Sequence, residues 1–334
     1  MTASLPELEL TEVEIAGRRS RIPGLNAMRA TSGFQRGMLL AGAIIVGLFV
    51  IIAVFAPLIA PYGFNDASSG GVDFKTLQAP SAKHWFGTTV GGEDVLSQVV
   101  YGAQTALEVI VLAVALSIVV GVPLGLISGY FGGRLDRVLV LVADALFSFP
   151  SLLLAIVIDI SVSNGSSSKS GGILAAAVAI TVVYVPQYFR VVRNATVAAR
   201  EEPYVEAARA LGASPFAIMT RYVFGNVVQT VPVIATLNAG DAILTLAGLG
   251  FLGFGIEPSS GAEWGYELNK AISDTAAGIW WTGTFPGLAI VLMVVGVTLV
   301  GESLNDVLNP LLRTAKLTQV VLPERTGVSM GKSK

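Results

Sequence analysis

The sequence predicts an all-α, polytopic membrane protein with six transmembrane helices, and three observations predict it. The 334 residues are 53% hydrophobic and only 13% charged, with a mean hydropathy of +0.70, whereas a soluble domain carries about 25% charged residues. Six apolar runs are long enough to cross a bilayer core, which takes about 20 helical residues. The Lys and Arg residues between those runs divide 17 to 4 between the two sides. By the positive-inside rule the richer side is cytoplasmic.

Residues 1–36 are polar, with four glutamates followed by Arg18, Arg19, Arg21, Arg29 and Arg36. The first apolar run begins only near Gly37 and lacks a cleavage site, so a cytoplasmic tail is expected and not a signal peptide. The expected spans are Met38–Ile59, Ala106–Ile127, Val138–Ile160, Ile173–Val192, Val223–Leu249 and Phe285–Val300. Six spans put both termini inside.

Two outer segments, 61–104 and 251–282, are rich in Gly, Pro, Ser and aromatic residues, including Trp85, Trp264, Trp280 and Trp281. Trp280 and Trp281 fit an interfacial belt. Residues 161–171 read as a flexible turn. Asp144, Asp159 and Asp241 fall inside spans, where acids are functional by default. No basic side chain is expected mid-span to serve as a relay partner, and Asp159 is close enough to an outer end to snorkel. All three therefore read as structural pairing or pore polarity in preference to a proton relay.

Other chemistries find little support. A net charge of −2 with scattered basic residues gives no field for nucleic acid. There is no cysteine, so disulfides and thiolate metal sites are ruled out. One histidine, His84, cannot make a multi-histidine metal site. The string Gly327-Val328-Ser329-Met330-Gly331-Lys332-Ser333 has three residues between its glycines where a phosphate-binding loop needs four. No ATP site, catalytic group or cofactor is expected in this chain.

The polar stretch from Glu201 to Tyr222, EEPYVEAARALGASPFAIMTRY, lies between the fourth and fifth spans on the cytoplasmic side. Pro203 suits the first position of a short helix, and Glu201 and Glu202 complement its dipole. Tyr204, Ala207, Ala208 and Leu211 fall on one face at helical spacing. Gly212 is the expected left-handed stop, and Ser214-Pro215 the cap and first residue of a second helix. So short a helix cannot cross a membrane, but it can fill a groove in a partner.

Glu206-Ala207-Ala208, three residues, then Gly212 resembles the EAA loop of ABC importer permeases. The longer run YVEAARALGAS is similar to the C-type permease of the dipeptide/oligopeptide branch, to which nickel permeases also belong. The resemblance covers roughly residues 80–313. It includes His84-Trp85-Phe86-Gly87-Thr88, Asp94-Val95-Leu96-Ser97, Tyr101-Gly102-Ala103, Val122-Pro123-Leu124-Gly125, Asp136-Arg137, Asp144, Ser148-Phe149-Pro150, Leu249–Gly255, Asn309-Pro310 and Arg313. Departures are Thr89 for Asp, Glu93 for Arg, Gln98 and Gln104 for two further Arg, and Gly225 for Pro, which softens the start of the fifth span.

The resemblance implies an ABC type I importer permease fold. Its parts would be a first helix at 37–60, an extracytoplasmic segment at 61–104, a core domain at 105–303 and a cytoplasmic tail at 304–334. Within the core, the coupling loop spans 200–222 and an outer loop 251–282. Glu206, Ala207, Ala208, Leu211 and Gly212 would couple to the ATPases. Asp144, Pro150 and Asp241 are pore or structural candidates, and Asp136-Arg137 pair locally. Trp85, Glu93, Asp94 and Trp264 are candidates for docking a binding protein. The implied partners are a homologous B-type permease, two cytoplasmic ATPases that bind ATP and Mg, an extracytoplasmic peptide-binding protein and the bilayer. A nickel or nickel-chelate permease, and an ion-coupled secondary carrier, are the alternatives.

Overall fold

Length separates the helices that cross from those that do not. The computed structural model describes residues 33–163 and 168–308. It contains α1 (Gly33–Val54), α2 (Ala56–Ile59), a two-residue hairpin of β1 (Ser68–Ser69) and β2 (Val72–Asp73), then α3 (Val95–Phe131), α4 (Gly133–Ser148) and α5 (Ser151–Ser163). There follow α6 (Lys169–Arg200), α7 (Pro203–Ala210), α8 (Pro215–Ala217), α9 (Phe224–Val227), α10 (Val231–Phe251), α11 (Trp264–Ala276) and α12 (Trp281–Leu308). Residues 1–32 of the N-terminal tail, residues 164–167 of the polar 161–171 turn, and Asn309, Pro310, Arg313 and the C-terminal glycine string lie outside the described residues.

Among the described residues, five stretches are long and apolar enough to cross a membrane singly, and they correspond to the expected first, second, fourth, fifth and sixth spans. The expected third span is not one helix. α4 and α5 meet at a bend of 100°. Phe149 takes extended backbone (φ −83°, ψ 139°), because the ring of a following proline, here Pro150, crowds the α conformation of the residue before it. A largely apolar run of the right length therefore becomes a broken pair.

α3 has 37 residues, about 55 Å at 1.5 Å per residue. That exceeds a hydrocarbon core of about 30 Å, so the helix projects beyond it. Its start is set by Asp94, which accepts a hydrogen bond from the Ser97 N–H at 2.9 Å, as an N-cap does. Along α3, Gly121, Gly125 and Gly129 face α6 at four-residue spacing. A Cβ at these positions would stand 2.6 Å from Tyr188 Cβ, 2.8 Å from the Phe189 carbonyl and 2.7 Å from the Arg193 carbonyl. Only glycine lets the two backbones approach so closely.

The apolar core sits where α1, α3, α6, α10 and α12 converge, around Phe49, Val109, Ile180, Ile243 and Met293. A second cluster, including Val192, Val205, Ile218, Val223 and Val227, lies under the polar 200–222 loop. The 251–282 segment folds back as amphipathic α11. Its Gly265 is pressed so close to the Ala247 carbonyl of α10 that no side chain fits there.

Candidate functional site

The 200–222 loop starts where α6 ends. Arg200 reaches back to α3, its Nη1 donating to the Gly129 carbonyl at 2.9 Å and to the Tyr130 carbonyl at 3.4 Å. Two α6 turns earlier, Arg193 grips Asp136 through two nitrogens, Nη2 to Oδ2 at 2.7 Å, while Ser128 Oγ donates to the same carboxylate. Asp136 thus pairs across helices with Arg193, and not locally with Arg137 as the sequence suggested. These bonds fix the inner ends of α3, α4 and α6 as one platform.

On that platform α7 begins with Pro203 in its first turn. Val205 and Ala208 are buried in the cluster beneath, three residues apart and so on one helical face. Tyr204, Glu206, Ala207, Arg209 and Ala210 are left exposed. The presented face is therefore not the expected one. Ala208 points inward as an anchor, because Val205, unnoticed in the sequence, has the larger apolar surface to bury and brings Ala208 with it. Glu206, Ala207, Leu211 and Gly212 remain accessible.

A Schellman motif closes the helix. The Ala213 N–H donates to the Ala208 carbonyl at 3.1 Å, and the Gly212 N–H to the Arg209 carbonyl at 3.0 Å. Gly212 holds the left-handed conformation this requires, at φ +81°. Ser214 Oγ accepts the Ala217 N–H at 3.3 Å as cap of α8. Leu211 is 88% exposed and Phe216 70%. α7 itself presents a shallow depression lined by Pro203, Glu206, Ala207, Arg209 and Ala210.

The path onward is irregular. A π-helical turn (Ile218–Val223) and a 3-10 turn (Val228–Thr230) flank α9 before α10 begins. Asn226 Nδ2 donates to Tyr204 Oη at 2.5 Å, tying α7 to this stretch. Such breaks in the regular ladder mark hinges. The stretch between α7 and α10 is therefore joined to α7 and irregular in its backbone.

The remaining candidates separate by burial. Asp144 forms an ion pair with Arg190, whose guanidinium also lies 4.2 Å from the centre of the Phe147 ring. The basic partner is Arg190, near the end of the expected fourth span, which the sequence reading passed over. Asp241 is exposed on α10, and Pro150 is exposed at the α4–α5 bend. Asp159 does not snorkel. It is buried, with Oδ2 accepting the Gly255 N–H at 3.0 Å.

On the other side, Trp85 is 69% exposed and Glu93 half-buried beside the Thr89 hydroxyl. Two docking candidates are corrected. Trp264 is 2% exposed, its Nε1–H donating to the Val99 carbonyl at 3.0 Å, with Gly102 making room for the indole. Asp94 is buried as the α3 cap and bonds His84 Nδ1 at 2.9 Å. Neither reaches a partner. The spacing Asp94-x-x-Ser97 was a cap signal available in the sequence. At the start of α11, Glu263 accepts the Gly265 and Tyr266 N–H groups at 2.9 and 2.7 Å. Burial pushes its carboxyl up to about 7 against those bonds.

With this geometry in place, comparison with known proteins identifies the scaffold. Residues 121–314, which include the whole loop, match the family described as binding-protein-dependent transport system inner membrane component. The chain belongs to this family of ABC importer permeases. Residues 34–80 match the N-terminal transmembrane domain of oligopeptide transport permease C. The chain is 37% identical over 278 residues to the dipeptide transport system permease protein DppC of Alkalihalophilus pseudofirmus, covering 82% of this chain and 86% of that one. It is 35% identical over 277 residues to the glutathione transport system permease protein GsiD of Escherichia coli, with 83% and 87% covered. It is 32% identical over 273 residues to GsiD of Pectobacterium atrosepticum, with 81% and 88% covered. As a permease of this family it is a multi-pass inner-membrane transport subunit. The family assignment displaces the ion-coupled carrier.

Proposed function

We propose that this chain is the C-type permease of an ATP-driven importer of short peptides, and that its 200–222 loop receives the motion of the ATPases. The observation that carries the reading is the α7 unit, in which a helix anchored by Val205 and Ala208 presents Glu206, Ala207 and Leu211 to the outside. The dipeptide and glutathione names of the relatives favour peptide cargo over nickel.

In this reading a B-type permease completes the translocation path. Two cytoplasmic ATPases bind ATP and Mg, and an extracytoplasmic peptide-binding protein delivers the cargo. The bias of Lys and Arg favours a cytoplasmic position for both termini and α7. When the ATPases close, α7 moves as a unit on its Schellman closure. The displacement then divides between the α3–α6 platform, through Arg200, and α10, through the irregular turns.

Uptake of a labelled dipeptide into vesicles holding the full complex tests this. It should require internal ATP and the binding protein, and should persist when the proton gradient is collapsed. Uptake that needs no ATP would overturn the proposal.

A further inference from the structure

Four lysines lie in the segments assigned to the outer side. Lys169 pairs with Glu108 and Lys270 with Glu267. Lys75 and Lys83 form no ion pair among the described residues, and both line the same cavity, of about 680 Å³. Its walls include the rings of Tyr62, Phe74 and His84, whose centroids lie 4.7–5.4 Å apart. Asp73 is the one carboxylate on the rim.

His84 is the unusual member. It is 3% exposed, and its Nδ1 is committed to Asp94 at 2.9 Å. Nε2 makes no hydrogen bond among the described residues. The ring lines the cavity, where a docked group can reach it. Every residue lining the cavity comes from the outer segment between Tyr62 and His84, and none from a spanning helix. Cargo moving between the helices would not pass through it.

We infer that this cavity receives an acidic side chain of the extracytoplasmic binding protein. The carboxylate lies between Lys75 and Lys83, beside the His84 ring, while the aromatic rings exclude water from the contact. This inference rests on the importer reading above and names its docking site. Behind His84, Asp94 caps α3, and the far end of α3 accepts the hydrogen bonds of Arg200 next to the coupling loop. A docked carboxylate therefore bears on one end of a rigid helix whose other end is tied to the ATPase contact.

The test measures binding of the purified binding protein to the full complex in lipid nanodiscs, for wild type and Lys75→Glu/Lys83→Glu, across a salt series. Wild-type affinity should fall with salt, and the double variant should bind about tenfold or more weakly with a flatter salt dependence. His84→Gln should weaken docking in the same direction. If wild type does not dock, the importer reading itself fails. If wild type docks and the lysine variants dock equally well, the cavity is not the site. A defect that appears only with carboxyl-terminated peptide and vanishes with peptide amide would give the cavity to cargo and overturn the proposal. Loss of the second permease from the variant complex would make it a subunit contact and also overturn it.

Discussion

Gly212 gives the sharpest test of the loop, because its substitution isolates backbone conformation from packing. It holds φ +81°, and a Cβ there would meet no atom within 4 Å. The cost of Gly212→Ala is therefore the left-handed backbone of an L residue, about 1–2 kcal/mol. That is roughly a 5–30-fold loss in the population of the correctly closed loop. Asn tolerates this region better than Ala, so Gly212→Asn should lose less. The assay titrates the ATPase subunits onto the two permeases in nanodiscs and follows dipeptide uptake per ATP. The expected order of affinity is wild type, then Asn, then Ala, with permease yield unchanged. A steric clash with the ATPase would instead make Asn worse than Ala. Wild-type affinity in both variants would refute the claim that the Schellman closure sets the docking geometry.

Three further outcomes follow from the same structure. Gly125→Ala places a Cβ 2.8 Å from the Phe189 carbonyl and should destabilise the α3–α6 pair by about 1–3 kcal/mol, read as a lower melting temperature in detergent. Gly47→Ala, with nothing within 4 Å, should cause no such loss. Glu263, held up to about 7 by burial, keeps a proton in the folded chain that the unfolded chain releases above about 4.3. Its contribution to stability is therefore fully present below that value and is lost as pH rises through about 7. Glu267, raised by burial and by nearby Glu93 and Asp274 against the pull of Lys270, adds to the same slope. The melting temperature should fall between pH 4.5 and 7.5, and less steeply in Glu263→Gln; parallel curves would contradict this. Finally, the absence of native cysteine makes Leu211→Cys a unique label at an 88% exposed position. An impermeant maleimide should react in inside-out vesicles and not in intact cells; the reverse would invert the topology.

Much of the fold was legible because the bilayer demands long uncharged runs, and that demand shows through composition alone. The α4–α5 bend was not, since Val138–Ile160 satisfies the length rule whether it is straight or broken. Only the steric effect of Pro150 on Phe149 decides between the two. The loop was legible where backbone chemistry dictates residue type, as at Pro203, Gly212 and Ser214. Its presented face was misread because four small or apolar residues at helical spacing do not reveal which side has the deeper cluster. Val205 settles that by packing against Ile218 and Val223. Trp264 and Asp94 were assigned to the surface because both sit in outer segments rich in turn residues. Burial of an indole against Gly102, or of an aspartate against a histidine ten residues earlier, depends on tertiary contacts that local pattern does not encode.

The central claim is that this chain couples ATP hydrolysis by partner subunits to peptide import. Its most direct test is ATP hydrolysis by the reconstituted complex with its binding protein, titrated with short peptides. The account predicts that peptide-loaded binding protein stimulates hydrolysis, and that Gly212→Ala reduces the stimulation far more than Gly212→Asn does. A complex that yields no ATPase on purification, with peptide uptake that follows the proton gradient, would contradict it.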